Sequence, residues 1–291
     1  MSFRIEKNEA LPSALGRITA EELAFAQSEL GRDEPSEAMH NTRKSLKRLR
    51  ALLRTLRVAL PYDALRGENR RLAAAGRKIA PLRDAHVRRV TLAKLGAAGG
   101  EAAKKIEADL HRREQSCVRQ IPALRREVRA MLSASRKTLA ALPMNSATPE
   151  SLAAGCKRIY KRGRAAFKAV RHNPTPESLH EWRKQAKILR HAFELIQCLS
   201  PKDAAAMPKA TAQLCQTLGD DHDLFLVQEV LRRGAGARPG REIRRLSKRI
   251  SSKRLRLQAR AFQLGRKIYA GEPGAFRRRL QDGLARIPSP P

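Results

Sequence analysis

Acidic residues are scarce: 28 Asp and Glu stand against 61 Lys and Arg in 291 residues, a formal net charge of +33. An unpaired buried cation is costly to desolvate, so most of this charge must lie on wet faces or in a wet cleft. Such a field draws polyanions, but charge alone does not choose among them. Aromatic residues make up only 4% of the chain, with a single Trp. Stacking platforms for single-stranded nucleic acid are therefore thin, and no zinc-finger, RNA-recognition or basic-zipper signature is present. The four cysteines, Cys117, Cys156, Cys198 and Cys215, form no CxxC pair, which argues against a zinc site and against a disulfide framework. No stretch approaches the roughly 20 apolar residues of a membrane span, and the start MSFRIEKNEALPSALG has no long apolar run. A cytoplasmic protein without cofactor is the expectation.

Hydrophobic residues nevertheless make up 42% of the chain, and they recur three and four apart. That periodicity excludes a disordered polyelectrolyte and predicts an all-α fold. Breakers divide the chain into helices at about 17–31, 36–60, 62–80, 82–96, 101–142, 149–172, 176–199, 202–218, 221–233, 241–270 and 274–286, with Pro122 bending or breaking the longest. Thr148-Pro149-Glu150 and Thr175-Pro176-Glu177 each supply a hydroxyl cap, a first-turn proline and an acid at the positive helix end. PMNSA at 143–147 and GAGARPG at 234–240 read as linkers. The first nearly bisects the chain, into a half at 1–142 with a short tail at 1–10 and a half at 148–291.

The halves repeat. HNTRKSLKRLRALLRTLR at 40–57 aligns with HEWRKQAKILRHAFELIQ at 180–197, matching His40 to His180, Arg43 to Arg183, Lys44 to Lys184, Lys47 to Lys187 and Arg50 to Arg190. Farther on, Leu82-Arg83-Asp84-Ala85-His86 matches Leu218-Gly219-Asp220-Asp221-His222. Such a repeat predicts two pseudo-symmetric antiparallel helical bundles packed around a basic central groove or pore.

At about 100° per residue, His40, Arg43, Lys44, Lys47, Arg50, Arg54 and Arg57 share one side of the first motif helix, opposite Leu46, Leu49, Leu53, Leu56 and Leu60. The second places His180, Arg183, Lys184, Lys187 and Arg190 opposite Ala186, Leu189, Phe193 and Ile196. Solvated helix faces usually mix signs, since like charges one turn apart cost a few tenths of a kcal/mol per pair. Residues 40–57 carry seven Lys or Arg and no acid, which favours a binding face. Lys157, Lys161, Arg164 and Lys168, at steps of four and three, are candidates for a further wall. The basic residues of 241–270 run nearly all round their helix and read as general attraction.

His-x-x-Arg, followed by a cation seven residues after the histidine and Arg ten after it, twice in a helical chain, resembles the CHAD domain, the conserved histidine α-helical domain. The resemblance covers roughly 10–286. It implies two helical bundles and non-enzymatic binding of inorganic polyphosphate by His40, Arg43, Lys47, Arg48 and Arg50 and by His180, Arg183, Lys187 and Arg190. The second copy departs at Ile188, opposite Arg48, and at His191, where a tyrosine is common. The Glu-x-Glu-x-Lys motif of the triphosphate-tunnel domain fused to some members is missing.

The main rival is nonspecific nucleic-acid binding, which the same charge supports. A metal-dependent phosphohydrolase, built on Asp84, His86, Asp220 and His222, is a weaker one, because no further acids cluster to complete a metal site. Those aspartates are expected to cap helices or orient arginines. His40 and His180, among cations, should have lowered pKa values and take up protons with a polyanion between about pH 6 and 8. Association with polyphosphate granules would follow from such binding.

Overall fold

The computed structural model describes residues 3–6, 8–95, 100–197, 206–234 and 239–284, and among these there are helices and no strands. In chain order the helices are α1 (Leu11–Glu29), α2 (Pro35–Thr55), α3 (Tyr62–Lys94), α4 (Gly100–Arg119), α5 (Ile121–Ala140), α6 (Pro149–His172), α7 (Pro176–Leu195), α8 (Ala206–Gly234), α9 (Arg241–Ile268) and α10 (Pro273–Leu284), with short 3-10 turns at 56–58 and 144–146. The 234–240 linker, the chain near 200 where one helix was to end and another begin, the final residues of the last helix, and Cys198 lie wholly or partly outside the described residues.

The expected stops at Pro81 and Gly219 are not stops. Helix α3 runs through Pro81, and α8 runs through Gly219. An interior proline costs roughly 3 kcal/mol, but Ile79 and Leu82 are buried on either side of it and hold the helix in register. Leu218 and Leu224 do the same around Gly219. Pro122 does divide the long segment, with α4 ending at Arg119 and α5 opening at Ile121. Helix α1 begins six residues before its expected start, at Leu11, with Pro12 in its first turn. The tail before it is docked: Phe3 and Ile5 are buried, and Ile5 N–H donates to Leu195 O at 2.9 Å.

Both Thr-Pro-Glu starts are capping boxes. Thr148 Oγ1 accepts from Ser151 N–H at 3.2 Å while Thr148 N–H donates to Ser151 Oγ at 2.9 Å; Thr175 and Ser178 repeat this at 3.1 and 2.9 Å.

Leu46, Leu49, Leu53, Leu56 and Leu60 are all buried, as are Ala186, Leu189, Phe193 and Ile196. Each such leucine contributes roughly 1.5–3 kcal/mol by leaving water, and together they turn the opposite, cationic stripes outward. Helix α2 packs against α1, α3, α6 and α7, and α7 packs also against α6 and α8. One apolar core extends from Phe3 to Leu284 and draws on residues from both ends of the chain. A smaller one joins Leu92, Ala103, Ile106 and Leu110 to Leu224, Val227, Leu231, Ile243, Leu246 and Ile250. The approach of α6 to the end of α2 needs Gly155, because any Cβ there would collide with the Thr55 carbonyl.

Candidate anion-binding site

The α2–α7 contact brings the two repeats together, and their matched cations meet. Lys47 is pushed down to about 7 by burial first, then by the charges of Lys187, Arg43, Arg183 and Arg83. Lys187 is pushed down to about 8 by burial and Arg183, partly offset by Asp223. Burial also lowers Arg43 and Arg183, against the opposing pull of Asp84 on the first and of Asp223 on the second. Among the described residues none of these four cations has a carboxylate within ion-pair distance. Arg43 Nη1 and Arg183 Nε are buried without a hydrogen-bond partner. Unpaired, half-buried cations with orphaned donors are costly, and an anion supplying oxygens between them would offset that cost.

His40 and His180 stand at the edges of the cluster, both exposed. Partial burial lowers both pKa values; Arg83 and Lys47 add to this at His40, Arg183 and Lys184 at His180. His180 lies 5.3 Å, ring to ring, from His222, whose pKa falls to about 3 through burial and Arg183.

The rest of the α2 stripe continues away from the cluster. Arg50 Nε donates to Asn69 Oδ1 at 3.1 Å. Arg54 is held below the usual guanidinium range by burial, Arg50 and Arg162. Lys44 is exposed.

Other expected site residues are engaged elsewhere. Arg48 Nη1 donates to Glu22 Oε1 at 2.9 Å, its Nε lies 3.5 Å from Glu194, and its guanidinium covers the Phe3 ring. Arg190 Nε donates to Glu194 Oε1 at 2.9 Å, and Lys184 Nζ to Glu181 Oε2 at 2.6 Å. His191, buried, bonds Glu194 at 2.9 Å. Burial opposes ionisation of Glu194, but His191, Arg190 and Arg48 bring its pKa down to about 2. Glu194 thus takes the position that Arg54 holds in the first copy and ties α7 to α2 instead of extending the basic stripe.

The expected further wall is turned away. Counting 100° per residue from Gly155, which faces α2, Lys157, Lys161, Arg164 and Lys168 point roughly 180–240° round α6. Arg164 pairs with Glu272 at 2.9 Å. Arg158 and Arg162, which lie near the Gly155 direction, act on Arg57 and Arg54 instead. Their signal was available in the sequence, but choosing between the two rows needed the contact at Gly155.

None of the four second-motif residues caps a helix. Asp84 lies inside α3 beside Arg43, and His86 Nδ1 is 2.8 Å from Glu114. Asp220 accepts from Gln216, while buried Asp221 accepts from Arg254 and Gln258, each at 3.0 Å. Asp223, three residues beyond Asp220, faces Arg183 as Asp84 faces Arg43. Among the described residues no group of three or more His, Cys, Asp or Glu is placed to hold a metal, and no helix is long and apolar enough to cross a membrane.

Against known proteins, the CHAD domain family model matches residues 9–232. No curated protein matches. Among solved structures, the CHAD domain from the plant Ricinus communis aligns with a TM-score of 0.62 at 17% identity, covering 96% of this chain and 94% of that one. PptA from Streptomyces chartreusis aligns with a TM-score of 0.64 at 19% identity, covering 89% and 100%. At these identities the likeness is one of fold.

Proposed function

The chain belongs to the CHAD domain family, whose members are non-catalytic modules, and from that premise we propose that it binds inorganic polyphosphate where the two motif helices meet. The observation that carries this reading is the meeting of Arg43, Lys47, Arg183 and Lys187 from matching positions of two repeats, without carboxylate partners. A thread carrying about one negative charge per phosphate suits such a site, because arginine grips phosphate oxygens with two donors and lysine supplies a compact charge. His40, His180, Lys44, Arg50 and Arg54 would line the approaches. Arg48, Arg190 and Lys184 would act by fixing the helices. In this reading the halves at 1–142 and 148–291 are two matched bundles, the groove lies between them, and the protein works in the cytoplasm on polyphosphate granules.

Nucleic acid would need different features. Trp182, inside the second motif, is fully buried against Phe167 and Phe262, and Phe193 of the same motif is buried too, so neither offers a stacking surface. Replacing Arg43, Lys47, Arg183 and Lys187 with alanine tests the proposal. Polyphosphate affinity should fall at least about 100-fold, roughly 3 kcal/mol, while the melting temperature stays level or rises. Unchanged affinity in a folded variant, or duplex DNA competing as well as short polyphosphate, sinks it.

A further inference from the structure

Helix α3 carries a second line of arginines. Arg66, Arg77 and Arg88 recur every eleven residues, three helical turns, which stacks them on one face at intervals of roughly 16.5 Å. That face is concave along its length. Three depressions lie on it end to end. The first is lined by Arg66 and Asn69 of α3 with Arg54, Arg57 and Arg162. The second is lined by Arg77 with Arg43, Lys47 and Arg50, and the third by Arg77 and Arg88 with Arg113 of α4. The second and third share Arg77 and Ala80, and the Arg50–Asn69 hydrogen bond joins the first to the second.

Pairing separates this face from one flank of the helix, although Arg83 and Lys94 on the other flank are also without an ion pair among the described residues. Elsewhere on α3, Arg71 pairs with Glu68, Lys78 with Glu127 and Arg89 with Glu114. Arg66, Arg77 and Arg88 form no ion pair among the described residues, and Arg88 Nε is buried without a hydrogen-bond partner. Of all residues lining the three depressions, only Asp84 is acidic. A face shaped only for solvent would mix signs here as it does elsewhere on the same helix.

We propose that the polyphosphate path runs the length of this α3 face, past Arg57, Arg66 and Arg162 at one end and past Arg88 and Arg113 at the other, so that the protein prefers long chains to short ones. This rests on the function proposed above, since the middle depression holds Arg43 and Lys47. From Arg66 to Arg88 the face spans roughly 33 Å. A tripolyphosphate occupies the centre alone, whereas a long chain reaches both ends at once, and each added contact multiplies its affinity without a second loss of translational freedom.

The test compares affinities for tripolyphosphate and for a chain of hundreds of phosphates at one low ionic strength, in wild type and two variants. One carries Arg66→Gln, Arg88→Gln, Arg113→Gln and Arg162→Gln. The other removes equal charge from the exposed side of α9 through Arg245→Gln, Arg249→Gln, Lys253→Gln and Arg256→Gln. The first should weaken long-chain binding by about tenfold or more and leave tripolyphosphate within about twofold. The second should shift both ligands by one small, common factor. A long-chain loss no larger than the α9 control's, or equal losses for the two ligands, overturns the path while leaving the central site standing. Failure of the wild type to bind either ligand overturns the proposed function itself, and the path with it. Should the fourfold variant melt early, Arg66→Gln with Arg162→Gln, both at exposed positions, tests the same contrast between long and short chains.

Discussion

Lys187 is the strongest charged neighbour of Lys47, its counterpart in the other repeat, and neither ammonium is paired. Both pKa values, about 7 and about 8, lie below the ordinary lysine value of 10.5. The unfolded chain therefore holds more protons than the folded one between about pH 7 and 10.5, so the free protein should gain stability as pH rises through that window. A polyanion restores the charged forms, so binding takes up protons there and affinity should fall as pH rises above 7. Thermal melts from pH 6.5 to 9.5 with and without polyphosphate, and calorimetry in buffers of different ionisation enthalpy, check both signs. Lys47→Met should raise the melting temperature and flatten its pH dependence.

The histidines should titrate below that window. His40, His180 and His222 all have lowered values, His222 near 3. Their share of proton uptake therefore moves below the unperturbed value of about 6.5. His40→Ala with His180→Ala should leave the pH dependence of affinity above pH 7 intact and diminish the part below it, as read by NMR titration alongside binding. Loss of the dependence above pH 7 in that variant would contradict the lysine assignment.

Arg48 behaves as a tie between helices. Its side chain is 18% exposed and bonds Glu22, itself 4% exposed, and approaches Glu194. Arg48→Ala leaves a buried carboxylate unpaired and should cost about 2–4 kcal/mol in chemical denaturation. Polyphosphate affinity of the folded fraction should change less than about threefold, as expected for a lost charge at solvent-screened distance. A loss as large as that of Lys47→Ala would return Arg48 to the site.

Gly155 sets the seat of α6 on α2. Gly155→Ala places a methyl group into the Thr55 backbone carbonyl, and two helices must part to admit it. A loss of about 3 kcal/mol or more is expected, at the upper end for overpacking because backbone cannot swing aside as a side chain can. Gly219→Ala, in α8 with open space around its Cβ position, should instead hold or add a few tenths of a kcal/mol through helix propensity.

Much of the fold was legible along the chain. The leucines opposite the basic stripe of α2 are all buried as their spacing requires, and both Thr-Pro-Glu starts cap as their hydroxyls require. Breakers were less reliable. Pro81 and Gly219 weaken a helix locally, but buried residues on both flanks outweigh roughly 1–3 kcal/mol of local preference, and what buries them belongs to other helices.

The sequence by itself determined which residues carry charge, that two copies of one helix carry matched cations, and which side of each must face inward, because helical periodicity and the cost of burying ions are local matters. Tertiary structure decided which of those cations stay unpaired. Arg48 and Arg190 found Glu194, Arg164 found Glu272, and Arg77 and Arg83 were drawn into the site from α3. A charge is free or satisfied according to what lies within a few ångströms of it, and across helices that distance is set by packing.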